Sequence, residues 1–201
     1  MGLKSKRSKK YVVTTDSKHN HPVFENVLDR RFNEHLPHGA WVSDITYIQT
    51  KDGFLYQTVI IDLSDRKVIG WSHSDGMSAE QTTLSAFRMA IKNRPPQKNL
   101  IFHSDRGVQY SCNSFVNLVA SYGMVQSMSR KGNCWDNAVA ESYFKTLKAE
   151  LIYGNNLISK EQMKSLLFEY VEIYYNQNRR HSALGNLTIK EFEKLNVKNV
   201  A

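Results

Sequence analysis

The sequence predicts an α/β fold, and three observations support this prediction. Three β-favouring segments follow one another within residues 41–73 and are joined by short, turn-like connections. From residue 78 onward, helical periodicity alternates with two short apolar runs. Apolar residues make up 41% of the 201 residues, which is enough to build a core. The predicted order of elements is βββ-α-β-α-β-α.

The first three strands are expected to form an antiparallel meander. Segments 41–48, 54–63 and 67–73 are rich in β-branched and aromatic residues. The connections at 51–53 and 64–66 contain turn-forming residues and are short enough for hairpins.

Helices and two further strands follow, each bounded by a local signal. A capping pattern, SAEQ, begins a helix at residue 78, and Pro95 and Pro96 lie beyond its end near residue 93. Before residue 41 we expect an extended segment with at most one short helix near 27–32. The remaining predicted elements are a strand at 99–102, a helix closed by Gly123, a strand at 124–128, a helix with Asp136 as its N-cap that reaches about residue 151, a helix at 159–175 and one short C-terminal helix.

Charge and composition favour an anionic partner and exclude several classes. Lys and Arg number 27 against 19 Asp and Glu, a net charge of +8, although five of the positive charges lie within the first ten residues. No apolar run is long enough to span a bilayer and no signal peptide is evident, so we expect a cytoplasmic protein without a membrane partner. Cys112 and Cys134 are interpreted as ordinary thiols.

Three carboxylates stand out by their context. Asp44 lies inside the first strand, where Asp is disfavoured, and a charge among β-branched residues needs a partner. Asp105 follows the fourth strand, and Glu141 lies on the helix after a loop that contains Lys and Gly. Asp105 and Glu141 are separated by 35 residues, but with 19 acids in the chain this spacing alone is weak evidence. The order of the elements that bear the three acids is the stronger signal.

Three acids in one small region would repel each other unless a divalent cation neutralised them. Mg²⁺ (or Mn²⁺) prefers oxygen ligands and retains bound water, and two such ions can support an in-line displacement at phosphorus. We therefore predict a site of Asp44, Asp105 and Glu141 that binds two Mg²⁺ or Mn²⁺ ions.

Five segments resemble the catalytic part of bacterial insertion-sequence transposases of the IS-three family, members of the retroviral-integrase superfamily. They are AWVSDITYI, VIIDLSDRKVIGW, FHSDRGVQY, RKGNCWDNAVAESYFKTLKAE and YYNQNRRHSALGNLT. The resemblance implies a ribonuclease-H-like fold, with a five-stranded mixed sheet and helices on both faces. It also implies Mg²⁺-dependent DNA strand cleavage and strand transfer, with Asp44, Asp105 and Glu141 as catalytic metal ligands and Lys145 and Lys148 as contacts to transposon-end DNA.

The resemblance also suggests domains and partners. Residues 39–177 are expected to form the catalytic core, residues 1–38 a basic and largely extended arm, and residues 178–201 a basic extension. The expected partners are transposon ends, target DNA, further copies of the chain in a synaptic complex, and an upstream helix-turn-helix subunit or fusion. Such a protein is expected to associate with the bacterial nucleoid.

Several further residues have two interpretations each. Arg130 and Lys131 could grip phosphate or belong to a solvated loop, and Arg179, Arg180 and His181 could contact phosphate or complement a helix dipole. Trp135 could stack on a flipped base or attach its loop to the core. Asn137 could orient a bound water or cap its helix, whereas Asp62 is expected to serve a turn or a salt bridge.

Two other functions remain open from the sequence. A truncated chain could be a non-catalytic, DNA-binding regulator of a full-length transposase. A ribonuclease H or related nuclease is a third possibility, but such enzymes usually have an acid on the first helix, for which the sequence offers only Glu80.

Overall fold

The computed structural model describes residues 20–33 and 39–198. Its central sheet has the strands β1 (Ala40–Thr50), β2 (Gly53–Asp62), β3 (Val68–Ser74), β4 (Ile101–Ser104) and β5 (Val125–Met128). They lie in the order β3-β2-β1-β4-β5. The first three strands are antiparallel neighbours, and β4 and β5 join β1 in parallel. The predicted five-stranded mixed sheet is therefore confirmed.

Helices follow the strands in the predicted order. They are α1 (Ser85–Asn93), α2 (Val108–Ser111), α3 (Asn113–Ser121), α4 (Ala138–Leu147), α5 (Lys160–Glu169) and α6 (Ile189–Lys198). π-Helical segments precede α1 and extend α4 and α5, at Glu80–Leu84, Lys148–Ile152 and Tyr170–Asn178. Short 3₁₀ turns lie at Cys134–Asn137 and Ser182–Leu184, and a small hairpin pairs β6 (Arg180–His181) with β7 (Leu187–Thr188). No helix in the described part of the chain is long and apolar enough to cross a membrane.

Helices cover both faces of the sheet because successive strand residues point to opposite sides. Trp41 and Val42 are both fully buried, but they belong to different core clusters. Trp41 packs edge-on against Phe87 of α1, whereas Val42 belongs to the cluster that contains Leu147 of α4. The ribonuclease-H-like arrangement is the result.

The segment before β1 packs on the domain. Leu28 is fully buried, and the backbone N–H groups of Val27 and Leu28 both donate to Ser127 Oγ. The short helix predicted near residues 27–32 is not formed, because Asp29 and Arg30 have φ angles of 43° and 63° and turn the chain instead. Residues 1–19 and 34–38, which complete the predicted arm, lie outside the described residues.

The predicted extension, residues 178–201, also packs on the domain in its described part. Leu184 and Ile189 are buried in the same cluster as Leu167 of α5. At its other end α5 begins as predicted: the Ser159 side chain accepts from the Gln162 backbone, and Gln162 reaches back to the Ser159 N–H.

Candidate active site

Two of the predicted site carboxylates lie just beyond the point where the parallel pairing of β1 with β4 ends. β1 pairs with β4 so that Val42 is opposite His103. Two residues further along each segment are Asp44 and Asp105, and Asp105 comes directly after the last residue of β4. The register of the two parallel strands therefore brings the two carboxylates together, with Asp44 inside β1 and Asp105 at the carboxyl end of β4.

Asp44 lies in an environment that strongly perturbs its carboxylate. The Ile45 backbone N–H donates to Asp44 Oδ1 at 2.8 Å. Even so, the pKa of Asp44 is raised well above its ordinary value, first by loss of water around the carboxylate and then by the negative charges of Asp105 and Glu141. Lys148 opposes these effects only in part. Asp105 and Glu141 are therefore both close enough to repel the charge of Asp44.

Asp105 is fixed by the turn that follows it. Its Oδ1 accepts the backbone N–H of Gly107 at 2.9 Å. A Cβ at residue 107 would lie 3.0 Å from the same oxygen and 3.2 Å from Gln109 Oε1. Glycine at 107 therefore gives the Asp105 carboxylate room at this place, while the backbone amide orients it.

Glu141 reaches the site from α4, which is attached to β1 beside Asp44. Asn137, one turn before Glu141, donates its amide N–H to the Ser43 carbonyl at 3.0 Å. Its Oδ1 is buried and has no hydrogen-bond partner among the described residues. The Glu141 carboxylate lies 3.7 Å from the Lys145 Nζ. The Asn137 side chain makes no hydrogen bond that caps the helix. It bonds to β1 instead, so the interpretation of Asn137 as a helix cap is wrong.

The two lysines predicted to contact DNA differ in their surroundings. The Lys145 side chain is 79% exposed. Lys148 lies with its Nζ 5.3 Å from the centre of the Tyr47 ring, and burial lowers its pKa while the charge of Asp44 acts in the opposite direction. The charge of Lys148 therefore acts on Asp44 in the site, whereas Lys145 lies exposed at the edge of the site.

A buried hydroxyl pair lies next to the strand that bears Asp44. Ser43 Oγ and Tyr110 Oη are 2.8 Å apart, and the Ser43 hydroxyl also contacts the Val59 carbonyl. Burial raises the pKa of Tyr110, and Asp44 and Asp105 raise it further. Tyr110 therefore stays neutral and contacts Ser43, the residue next to Asp44.

The donor set fits a hard divalent cation in its chemistry, since all three side chains offer carboxylate oxygens. As they stand, no three His, Cys, Asp or Glu side chains in residues 20–33 and 39–198 are close enough to hold one ion together. Of the three acids, Glu141 is the one that can move toward the other two, because its partner Lys145 is highly exposed and weakly held.

The loop before α4 is held by a buried aspartate, which corrects the prediction that Asp136 is an N-cap. The Asp136 side chain is fully buried and accepts from both Arg130 and Arg30, each at 2.8 Å. These cations hold the pKa of Asp136 well below its ordinary value, through hydrogen bonds with Arg130 above all. Arg130 also pairs with Asp29 at 3.2 Å, so its charge is already used within the protein. Lys131 is exposed beside it.

A buried histidine of β4 takes part in a second set of polar contacts near Asp105. His103 is fully buried, with Nδ1 2.8 Å from Ser127 Oγ and Nε2 3.2 Å from Ser129 Oγ. Burial lowers its pKa to about 4, so the ring is neutral at physiological pH. Because Ser127 also accepts two N–H groups from the arm, His103 joins the arm to the strand that leads to Asp105.

The C-terminal basic cluster is divided between pairing and burial. Arg179 Nε lies 3.2 Å from Glu150, and Arg180 pairs with Glu191 at 3.4 Å. His181 is buried, with Nε2 3.4 Å from the Tyr175 carbonyl, and burial lowers its pKa. In this conformation His181 is not accessible to a phosphate, so we do not retain it among the DNA contacts.

Two acids outside the group have structural partners. Asp62 accepts from the Trp41 indole at 3.0 Å and from Arg94 at 2.7 Å, which agrees with the salt-bridge interpretation. Glu80 is exposed and pairs with Arg88. Neither acid is tied to the site by a described contact.

The sequence did not predict the contacts that attach the arm to the domain near the site. Arg30 and Ser127 lie about a hundred positions from their partners, and no local pattern marks such pairs. The charge of Asp136 was visible in the sequence, but its arginine partners were not.

A ribonuclease-H-like sheet with three acids at one end defines the core of a polynucleotidyl transferase. Models of the integrase core domain family match residues 34–134 and 122–188. The transposase InsF for insertion sequence IS3A of Escherichia coli (strain K12) is 42% identical over 196 residues, which are 98% of this chain and 68% of InsF. An uncharacterized 31 kDa protein of insertion element IS600 from Shigella sonnei is 38% identical over 192 residues, 96% of this chain and 70% of that protein. The chain belongs to the integrase core domain family, together with these insertion-sequence proteins.

Solved integrase cores share the fold at low identity. The HTLV-2 integrase catalytic core domain in complex with magnesium (trimeric form) superposes with a TM-score of 0.56 and 19% identity, over 78% of this chain and 97% of that one. The catalytic core domain of BIV integrase gives a TM-score of 0.55 and 19% identity, over 81% of this chain and 98% of that one. These likenesses confirm the architecture.

Proposed function

We propose that this transposase core cuts DNA at the ends of an insertion sequence and joins the freed end to target DNA, with Asp44, Asp105 and Glu141 as catalytic residues. Family membership gives the activity, which is DNA transposition by a polynucleotidyl transferase. The observation that best supports the residue roles is the register that brings Asp44 and Asp105 together, with the pKa of Asp44 raised by burial and then by the charges of Asp105 and Glu141.

The three carboxylates are proposed to hold Mg²⁺ or Mn²⁺, with two ions per site. A cation between them would remove the repulsion that the structure leaves in place. When bound, such ions polarise the phosphate and make water or a hydroxyl a better nucleophile. The related HTLV-2 core is described in complex with magnesium, which agrees with this choice.

The chain's own residues divide the remaining work. Backbone N–H groups of Ile45 and Gly107 orient the carboxylates of Asp44 and Asp105. Glu141 completes the set by moving away from Lys145, which then becomes available to the DNA backbone. Lys148, held against Tyr47 near Asp44, is placed to attract a phosphate oxygen toward the acids.

Other DNA contacts and partners form part of the proposal. Lys131 is exposed on the loop before α4, and Arg130, Arg179 and Arg180 could each exchange an internal acid for a phosphate. We propose that the chain acts at the nucleoid, as a homo-oligomer on two DNA ends. An upstream helix-turn-helix subunit or fusion would supply recognition of the ends.

A nicking assay tests the proposal. The chain is incubated with Mn²⁺ and a duplex that ends in the terminal sequence of its own insertion sequence. Wild type should nick it, whereas Asp44→Asn, Asp105→Asn and Glu141→Gln should not. Glu80→Gln, a change at an exposed acid outside the site, is the matched control and should nick normally.

Equal nicking by wild type and the three site variants would refute the assigned roles. Binding of the end without nicking by wild type would favour the non-catalytic regulator. Preferential cutting of an RNA–DNA hybrid would favour a ribonuclease H.

A further inference from the structure

Trp135 is exposed although tryptophan is the side chain with most to gain from burial. It is 69% exposed, whereas Trp41 is fully buried. Trp41 donates its indole N–H to Asp62, and Trp71 donates to Glu172 and stacks on His73. Across the part of the chain that the structure describes, Trp135 has no comparable ring or hydrogen-bond contact. The interpretation of Trp135 as an attachment of its loop to the core is therefore wrong.

The backbone on both sides of Trp135 is fixed, so the exposed indole is not the result of a loose loop. Arg30 donates to Asn133 Oδ1 at 2.9 Å and to the buried Asp136 at 2.8 Å. Asn137 is bonded to the Ser43 carbonyl. The residues before and after Trp135 are thus attached to the arm and to β1, while the indole faces solvent.

The position of the indole relates it to the site. Trp135 lies two residues before Asn137, which contacts the residue adjacent to Asp44, and Asn137 lies one helical turn of about 5 Å before Glu141. Lys131 is exposed on the same loop. A flat apolar surface on the same loop as an exposed cation, three residues before the helix that carries Glu141, is suited to a ligand that is both aromatic and anionic.

We propose that Trp135 stacks on an unpaired nucleobase of the DNA strand held at the carboxylates. The inference rests on the proposed function, because it takes DNA as the substrate. A base within an intact duplex has both faces covered by its neighbours, so the ligand must be a base that is flipped out or lies in a single-stranded stretch. Stacking on an aromatic ring tolerates any base, and Trp135 would therefore add affinity without sequence preference.

The test is a binding measurement that needs no cleavage. Three fluorescent duplexes are compared without divalent metal: one intact, one with a short single-stranded gap, and one with an abasic gap of the same length. The proteins are wild type, Trp135→Ala and Trp135→Phe. Because the side chain is exposed, both variants should melt at the wild-type temperature.

Wild type should bind the base-containing gap about tenfold or more tighter than the abasic gap, a difference typical of one stacked base. Trp135→Ala should lose this preference, and Trp135→Phe should keep most of it. An equal preference in wild type and Trp135→Ala, or equal binding of both gaps by wild type, would overturn the proposal. Glu80→Gln, a change at an exposed acid outside the site, should bind all three duplexes like wild type, and a failure of the catalytic roles would appear only in the nicking assay.

Discussion

Two aspartates near the same end of the sheet have opposite electrostatic surroundings. Asp136 is fully buried and accepts from two arginines, and its pKa is held well below the ordinary value. Asp44 is partly buried beside two other acids, and its pKa is raised. Among the described residues, no ion pair reaches Asp44.

The difference separates a structural acid from a functional one. The charge of Asp136 is neutralised by two arginines of the chain itself, so Asp136 stabilises the loop and needs no added cation. The charge of Asp44 is compensated only in part by Lys148, so the folded state holds a repulsion that an added cation would relieve.

Exchange of each aspartate for asparagine should have the largest and most unequal effect on catalysis. Asp44→Asn should lower the rate of strand cleavage by about a thousandfold, because metal-assisted charge stabilisation is worth several kcal/mol. Asp136→Asn should retain cleavage within about tenfold, since its role is to position the loop. Single-turnover cleavage of the end duplex with Mn²⁺ measures both. Equal losses in the two variants would break the distinction.

The same pair should show the reverse order in stability. Asp136→Asn should lower the free energy of unfolding by about 2 kcal/mol, because charge-assisted hydrogen bonds are lost although the arginines are about half exposed and can return to water. Asp44→Asn should not lower it in the presence of a chelator, since a repelled charge is removed. Urea unfolding at neutral pH gives both values, and a marked destabilisation by Asp44→Asn would contradict the account.

Gly107→Ala tests whether the position of Asp105, the acid next to Asp44, matters for catalysis. The added Cβ would lie 3.0 Å from Asp105 Oδ1 and force the carboxylate to shift by a few tenths of an ångström. Such a displacement should cost about tenfold in cleavage rate. The φ of Gly107 is −62°, which alanine adopts without strain, so thermal melting should change little. Wild-type cleavage by this variant would show that the position of Asp105 is not critical.

The smallest effect concerns pH. The folded-state pKa of Asp44 is raised above its ordinary value of 3.8, so metal-free wild type should lose stability relative to Asp44→Asn as pH rises above that value. The folded-state pKa of Asp136 is lowered, so its contribution is complete above pH 3.8 and is lost as pH falls below it. The pKa of His103, which burial lowers to about 4, has no contribution from Asp44, so its titration cancels between wild type and Asp44→Asn; Asp136 raises that pKa, so the titration does not fully cancel for Asp136→Asn. Urea unfolding across pH should give difference curves of opposite slope, and parallel curves would contradict the assignment.

The sequence was informative wherever a signal is local or belongs to a family pattern. The β-branched and aromatic residues of β1 and the element order predicted the sheet, and the resemblance indicated Asp44, Asp105 and Glu141 as a set. The sequence could not reveal that Arg30 neutralises Asp136 or that Leu28 completes the core, because these contacts join distant segments. It also could not decide the exposure of Trp135, which depends on how its neighbours are bound.

Calorimetric titration with Mn²⁺ tests the central claim most directly, since it asks whether the repelled acids accept a cation. Wild type and Asp136→Asn should both bind Mn²⁺, provided that circular dichroism shows both to be folded. Asp44→Asn and Asp105→Asn should lose binding while remaining folded. Binding of Mn²⁺ by Asp44→Asn with wild-type affinity would contradict the claim that this carboxylate cluster is the metal-dependent catalytic centre.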